Sequence, residues 1–326
     1  MRDGGDRSPH RAPAWLRGGH AQTIWPAFVA RPPVRWRREA IATPDGDAWQ
    51  FDWLDAPAKP GAPLVVLFHG LEGSSQSHYA RAMMAEVARR GWRGVVPHFR
   101  GCGGEPNRLP RAYHSGDHEE IGAMLGAVRE RAGPDTPLCV VGVSLGGSAL
   151  LNWLGRAGAS AAAIVARAAA VSAPLDLMAA GRSIDRGTNR IYAWHFLRTL
   201  APKARAMAAR FPGSLDPSRL SRLTTMWAFD DAVTAPLHGF GGTCDYWTRA
   251  SSKSWLARIA VPTLVLNARN DPFIPAASLA GPSEVSPHVL LEQPEHGGHA
   301  GFVTGPFPGR LDWLPRRLLA WFGEGR

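Results

Sequence analysis

The chain has 326 residues, 45% of them hydrophobic and 20% charged, a balance that belongs to globular proteins and excludes a disordered one. Its net charge of +10, from 37 basic and 27 acidic residues, comes almost wholly from arginine, since Lys59, Lys203 and Lys253 are the only lysines. No apolar run of about 18 residues occurs, so no transmembrane helix is expected. The N-terminus has no continuous apolar stretch and carries Asp3 and Asp6 early, so no signal or transit peptide is expected. Cys102, Cys139 and Cys244 are scattered, forming neither a disulfide framework nor a metal knuckle. They fit a reducing compartment, and a cytoplasmic location is expected.

The first 40 residues hold eight arginines against Asp3, Asp6 and Glu39, a local charge of +5. Residues 1–33 read as an irregular basic arm, solvated and partly disordered. A weak contact with an anionic membrane surface through Arg2, Arg7 and Arg11 is the alternative for this arm. No basic helix and no nucleic-acid module follows, so no nucleic acid is expected as a partner.

Past the arm, Val34–Thr43 and Ala48–Leu54 predict two strands joined across Pro44-Asp45-Gly46-Asp47, where Asp-Gly signals a hairpin. Leu64–Phe68 is a short apolar run, suited to a strand buried on both faces. A helix is predicted over Tyr79–Arg90, then a strand over Gly94–Phe99. Asp117 and Glu120 form a capping box for a helix reaching about Arg131. Leu138–Val143 predicts a further strand, followed by a helix from about Gly147 to Leu154. Ala168–Ser172, Thr263–Asn267 and Val289–Glu292 complete the strands, and Leu311–Phe322 closes the chain as an amphipathic helix. Strands alternating with helices predict one doubly wound α/β domain over residues 1–326 with a mainly parallel sheet. The stretch between Pro174 and Pro262 is too long for a crossover. Residues 176–258 are therefore expected to form a helical cap inserted between two late strands.

The chemistry concentrates where strands end. Gly142-Val143-Ser144-Leu145-Gly146 is a G-x-S-x-G motif between a strand and a helix, the context of a nucleophile on a sharp, strained turn. The helix N-terminus then lies beneath Ser144 and favours an oxyanion there. His69-Gly70 follows the strand Leu64–Phe68, so the backbone N–H groups of Leu71 and Leu145 are the expected oxyanion donors. His69 itself is expected to brace this turn. Asp271 follows one late strand and His299 the next, both at carboxyl ends of strands, where sites in open sheets lie. The order Ser144, Asp271, His299 is that of a Ser-acid-base set on this kind of sheet. His296 is the alternative base, and Gly298 favours His299 by permitting close approach to the serine. Asp176, after Ala168–Ser172, is the alternative acid. Asp230, Asp231 and Asp245 read as structural or surface residues, and Cys102 as structural. The aromatics Trp194, Phe196, Trp227 and Trp247 read equally as the lining of an acyl pocket or as the core of the cap.

Taken together these residues resemble the YheT-like branch of the α/β-hydrolases, which includes plant EMB8-type proteins and eukaryotic ABHD1/ABHD3-type lipases. The resemblance rests on Gly18-Gly19-His20-Ala21-Gln22-Thr23, His69-Gly70-Leu71-Glu72-Gly73, Arg100-Gly101-Cys102-Gly103-Gly104-Glu105 and Tyr113-His114-Ser115-Gly116-Asp117. It continues through Gly142–Gly147, Phe229-Asp230-Asp231, Thr234-Ala235-Pro236, Asn270-Asp271-Pro272 and Gly297-Gly298-His299. It implies an α/β-hydrolase fold, a triad of Ser144, Asp271 and His299, and action on carboxylic or lipid esters. The expected partner is a small acyl-ester substrate. The same triad serves an alcohol acyltransferase, and a non-catalytic binding protein of the same fold is the third alternative. No metal-ligand spacing and no phosphate loop appears, so no cofactor or metal is implied.

Overall fold

The computed structural model describes residues 8–29 and 31–324. Eight strands form one sheet: β1 Trp36–Ala42, β2 Ala48–Leu54, β3 Leu64–Phe68, β4 Arg93–Pro97, β5 Leu138–Val143, β6 Arg167–Val171, β7 Thr263–Leu266 and β8 Val289–Glu292. Their order across the sheet is β1-β2-β4-β3-β5-β6-β7-β8. The β1–β2 hairpin is antiparallel and joins β4 antiparallel, while every pairing from β4 onward is parallel. This is the mainly parallel, doubly wound sheet that the alternation of elements predicts. Strands β3 and β5 are buried along their whole length, because helices cover both faces and leave no solvated side to alternate with.

Helix α1 is Gly19–Ile24, α2 is His78–Arg90, α3 is His118–Ala132 and α4 is Leu145–Ala157. Gly91 ends α2 in the left-handed conformation, and the side chain of Asp117 accepts the backbone N–H of Glu120 at the start of α3. The apolar faces of α3 and α4 pack on one side of the sheet. On the other side lie α2 and the last helix, Trp313–Gly323.

Between β6 and β7 the chain leaves the sheet as a helical cap. It contains α5 Leu177–Ile184, α6 Arg190–Arg210, several short turns, and α7 Thr243–Ala250. Its own apolar core includes Leu197, Leu200, Met226 and Phe229, with Phe273 and Ile274 reaching up from the sheet.

The opening segment departs from the expectation of a solvated arm. Residues 1–7, with Arg2 and Arg7, lie outside the described residues. From Ser8 onward the chain packs on the domain. His10, Leu16, Gln22 and Val29 are buried, and Arg11 and Arg17 remain exposed between them. The ring nitrogens of His10 lie 3.0 and 3.2 Å from the carbonyls of His296 and Val303. Gln22 donates to the carbonyls of Leu16 and Val303 and accepts the N–H of Val303. The charge count over this stretch missed the few uncharged residues that anchor it.

Among the described residues no helix is long and apolar enough to cross a membrane.

Candidate active site

Parallel strands β3 and β5 are neighbours, with Phe68 opposite Gly142. Their carboxyl ends therefore bring the loop after β3 against the turn after β5, at the point where the strand order reverses and a crevice opens. Ser144 occupies that turn at φ 54°, ψ −121°, a conformation that a residue with a side chain adopts only when its surroundings enforce it. What enforces it here is close packing. A Cβ at position 146 would lie 2.5 Å from the carbonyl oxygen of His69, so Gly146 lets the two loops pass. The N–H of Ser144 donates to the carbonyl of Val171 at 2.8 Å, tying the turn to β6. Helix α4 begins at Leu145, two residues before the predicted start, which places the Leu145 N–H in its first, unpaired turn.

The structure brings Ser144, His299 and Asp271 together. Ser144 Oγ is 2.9 Å from His299 Nε2, and His299 Nδ1 is 2.8 Å from Asp271 Oδ2. Asp271 is buried, and its other oxygen accepts the N–H of Phe273 at 2.8 Å. Because the carboxylate can only accept, Nδ1 carries the ring proton and Nε2 faces the serine as an acceptor. The two alternatives stand elsewhere. His296 turns to Asn270, 3.3 Å from its amide nitrogen. Asp176 caps α5, accepting the N–H of Ala179 at 3.0 Å.

Among the described residues, the loop after β3 leaves one N–H without a protein acceptor beside the cavities that Ser144 lines. The N–H of Gly70 donates to the hydroxyl of Tyr79 at 2.9 Å, and that of Glu72 to the hydroxyl of Tyr113 at 2.8 Å. The intervening Leu71 N–H has no protein acceptor among the described residues. Two tyrosine hydroxyls thus occupy the flanking donors. Burial raises the pKa of Tyr79, and that of Tyr113 well above its usual value, so both remain neutral phenols. On the Tyr113 side, Glu72 is paired with Lys203 of α6 at 2.8 Å, which links the cap to this loop. His69 braces the turn from beneath. Its Nδ1 is 2.8 Å from the Gly70 carbonyl and its Nε2 accepts the N–H of Phe99. Burial pulls its pKa down to about 3, so it stays uncharged. Cys102 is a protonated thiol, pushed up to about 12 by burial.

The histidine loop is held by the N-terminal segment. The N–H of His299 donates to Thr23 Oγ1 at 2.9 Å. The N–H of Gly298 donates to Asn270 Oδ1, and Asn270 in turn donates to the carbonyl of Arg17. Gly298 has φ +59°, and a Cβ there would sit 2.7 Å from the carbonyl oxygen of Gly19. The small residue before His299 is therefore needed against α1, not against the serine. Thr23, Tyr79 and Tyr113 escaped motif reasoning. For Thr23 and Tyr113 the signals were the runs Gly18–Thr23 and Tyr113–Asp117, which carry resemblance but no chemistry of their own.

Two cavities meet at Ser144 and His299. The inner one, about 150 Å³, lies under the cap and is walled by Leu177, Ala180, Met226, Phe229 and Trp247. The outer one, about 530 Å³, is a cleft between α1 and α6. This divides the four cap aromatics. Trp247 walls the inner cavity, Trp194 the outer, and Phe196 both. Trp227 walls neither cavity and packs edge-on against Trp247 at 5.1 Å. Asp230 is buried on the inner wall, accepting from Thr234 Oγ1 at 2.6 Å and Trp247 Nε1 at 2.7 Å. Burial raises its pKa to about 6.

The sheet order, the sharp turn at Ser144 and the crevice beneath an inserted cap define an α/β-hydrolase. The chain belongs to that family: residues 63–306 match the family described as alpha/beta hydrolase fold. Within it the chain falls in the YheT-like branch. It is 38% identical over 309 residues to YheT of Escherichia coli (strain K12), covering 93% of this chain and 89% of that protein. Phospholipase ABHD3 of Mus musculus is 30% identical over 311 residues, with 93% of this chain and 75% of that protein covered. The Pyrococcus furiosus esterase Pf2001 shares the fold, with a TM-score of 0.53 at 14% identity over 89% of this chain and 90% of that one.

Proposed function

We propose that the protein is a serine hydrolase of carboxylic esters, with Ser144 as nucleophile, His299 as base and Asp271 as the acid that orients it. The observation that carries this reading is the unbroken chain of contacts, 2.9 Å from Ser144 to His299 and 2.8 Å from His299 to Asp271. As Ser144 Oγ attacks the acyl carbon, His299 Nε2 takes its proton, and Asp271 stabilises the imidazolium that forms. The oxyanion accepts from the N–H groups of Leu71 and Leu145, dipoles already in place that need not reorganise. His299 then protonates the departing alcohol. Water repeats the sequence on the acyl-enzyme, releasing the acid and restoring Ser144. The acyl chain fits the apolar inner cavity, and the alcohol portion faces the outer cleft. The esterase and phospholipase relatives, at 38% and 30% identity, support an ester or lipid-ester substrate.

The test is labelling with a fluorophosphonate, which reacts with a serine activated by a base. Wild-type protein should be labelled at Ser144, and Ser144→Ala should be neither labelled nor active on p-nitrophenyl esters while keeping its fold. An active Ser144→Ala removes this serine from the mechanism. Product analysis in the presence of a soluble alcohol separates hydrolysis from acyl transfer, since transfer yields a new ester in place of free acid.

A further inference from the structure

Exposed apolar side chains are ordinary when scattered and informative when gathered. Among the described residues, six of the eight large exposed ones gather about the two walls of the outer cleft: Ile24, Ile191 and Trp194 wall it, and Trp15, Phe28 and Phe307 cluster around Trp25, next to Ile24 in the chain. Phe28 and Phe307 are 73% and 71% exposed, and Ile191 and Trp194 are 60% and 58% exposed. They form two ridges. On one side Trp25 lies between Phe28, at 6.0 Å, and Phe307, at 5.8 Å, and Trp15 adjoins Phe307 at 5.6 Å. On the other, Ile191 and Trp194 stand in the first turns of α6. Ile24, Ile191 and Trp194 themselves wall the cleft, and a contact of 3.0 Å between His20 Nδ1 and the Tyr192 hydroxyl ties the two ridges together.

Two further features narrow what such a face meets. The indole N–H of Trp15 donates to the Gly305 carbonyl and that of Trp25 to the Pro308 carbonyl. Their polar atoms are thus already satisfied inside the protein, and an apolar layer can receive the rings without orphaning a donor. Of the charged groups at the cleft, Glu72 is already paired with Lys203, and those left to border the ridges are cations. Arg31 walls the cleft, Arg190 precedes Ile191, and the Arg198 guanidinium lies 5.0 Å over the Trp194 ring. Among the described residues none of the three pairs with a carboxylate. A second copy on this face would set arginine against arginine, whereas anionic headgroups complement them.

We propose that this face docks on an anionic lipid surface, with the two ridges in the headgroup layer and the mouth of the Ser144 cleft between them. The proposal rests on the hydrolase reading only for its purpose, the delivery of a lipid ester to Ser144 without passage through water. The docking itself needs no active serine.

Sedimentation with vesicles tests it, using phosphatidylcholine alone and phosphatidylcholine containing phosphatidylglycerol. The full-length protein should sediment with the anionic vesicles, less so as salt rises. Phe28→Ser and Phe307→Ser should each lower that binding about tenfold, the effect of withdrawing one aromatic ring from an interface. Their melting temperature and turnover of soluble p-nitrophenyl acetate should stay at wild-type values. Arg190→Gln should reduce the preference for phosphatidylglycerol. Ser144→Ala should bind vesicles as wild type does, so loss of the hydrolase reading and loss of this one are read from separate measurements. Wild-type protein that ignores anionic vesicles, or a Phe28→Ser, Phe307→Ser double variant that binds them undiminished, overturns the proposal. So does a wild-type dimer in sedimentation velocity that the double variant converts to monomer, because a second copy then covers the face.

Discussion

The hydroxyl of Thr23 accepts the backbone N–H of His299 at 2.9 Å, so a residue 276 positions earlier in the chain fixes the loop that carries the proposed base. The bond aligns the backbone of His299 while the Asp271 carboxylate aligns its ring. Two anchors leave Nε2 little freedom to swing away from Ser144, and such placement is where an enzyme gains most from a rigid scaffold.

Thr23→Val removes this acceptor at nearly constant volume. The expected result is a fall in kcat of about tenfold with KM little changed, from one lost hydrogen bond and a loosened base. Thr23→Ser should restore the rate, because it restores the oxygen. A Thr23→Val enzyme with wild-type kcat in steady-state assays shows that Asp271 alone suffices.

The two histidines of the same loop separate cleanly. His299→Ala should lose activity as fully as Ser144→Ala, by several orders of magnitude, since the members of such a set act as a unit. His296→Ala removes a ring that faces Asn270 and should keep most of the activity. The assay is hydrolysis of p-nitrophenyl butyrate by both variants, and the reverse pattern reassigns the base.

Acyl-chain preference should be set by the inner cavity. Each methylene buried there contributes about 0.8 kcal/mol, so kcat/KM should rise about threefold to fourfold per carbon until the cavity is full. Ala180→Phe fills part of the wall and should shorten the preferred chain. Met226→Ala enlarges it and should lengthen the preference, at a cost in stability of about 2–5 kcal/mol. Trp227→Ala should leave the preference unchanged, since Trp227 walls neither cavity. A series of p-nitrophenyl esters from acetate to dodecanoate reads all three. An optimum that does not move with Ala180 or Met226 places the acyl chain in the outer cleft.

Asp230 should make the stability of the protein depend on pH. Its folded pKa of about 6 lies above the ordinary value of 3.8, so the folded state holds the proton more tightly than the unfolded chain does. The stabilisation from that proton is complete below the ordinary pKa and is lost as pH rises through about 6. Asp230→Asn should flatten this dependence, with a smaller fall in melting temperature than wild type between acid and neutral pH. Thermal unfolding followed by circular dichroism across that interval measures it. Parallel curves for the two proteins assign the dependence to other groups.

Much of this site was legible in the residue order because its parts are local. A buried strand must be continuously apolar, and Leu64–Phe68 and Leu138–Val143, buried throughout, have the bounds predicted for them. A sharp turn between strand and helix needs small residues at fixed offsets from Ser144, so Gly142 and Gly146 mark it in five letters. Parallel strands must direct their carboxyl ends to one edge of the sheet, so the loops holding Leu71, Ser144, Asp271 and His299 had to converge. Tertiary structure alone decided the rest. It turned His299 toward the serine and His296 toward Asn270, a choice of side-chain direction that two histidines three residues apart do not encode. It placed Asp230 on the wall of a cavity, which follows from how the cap packs on the sheet. It also drew residues 8–29 onto the histidine loop. Arginine dominates the charge of that stretch, but its placement is governed by His10, Leu16, Gln22 and Thr23, whose partners lie more than 250 positions away or on buried surface. Contacts of that range leave no period and no spacing in the sequence, because their geometry exists only once the sheet has brought both ends of the chain together.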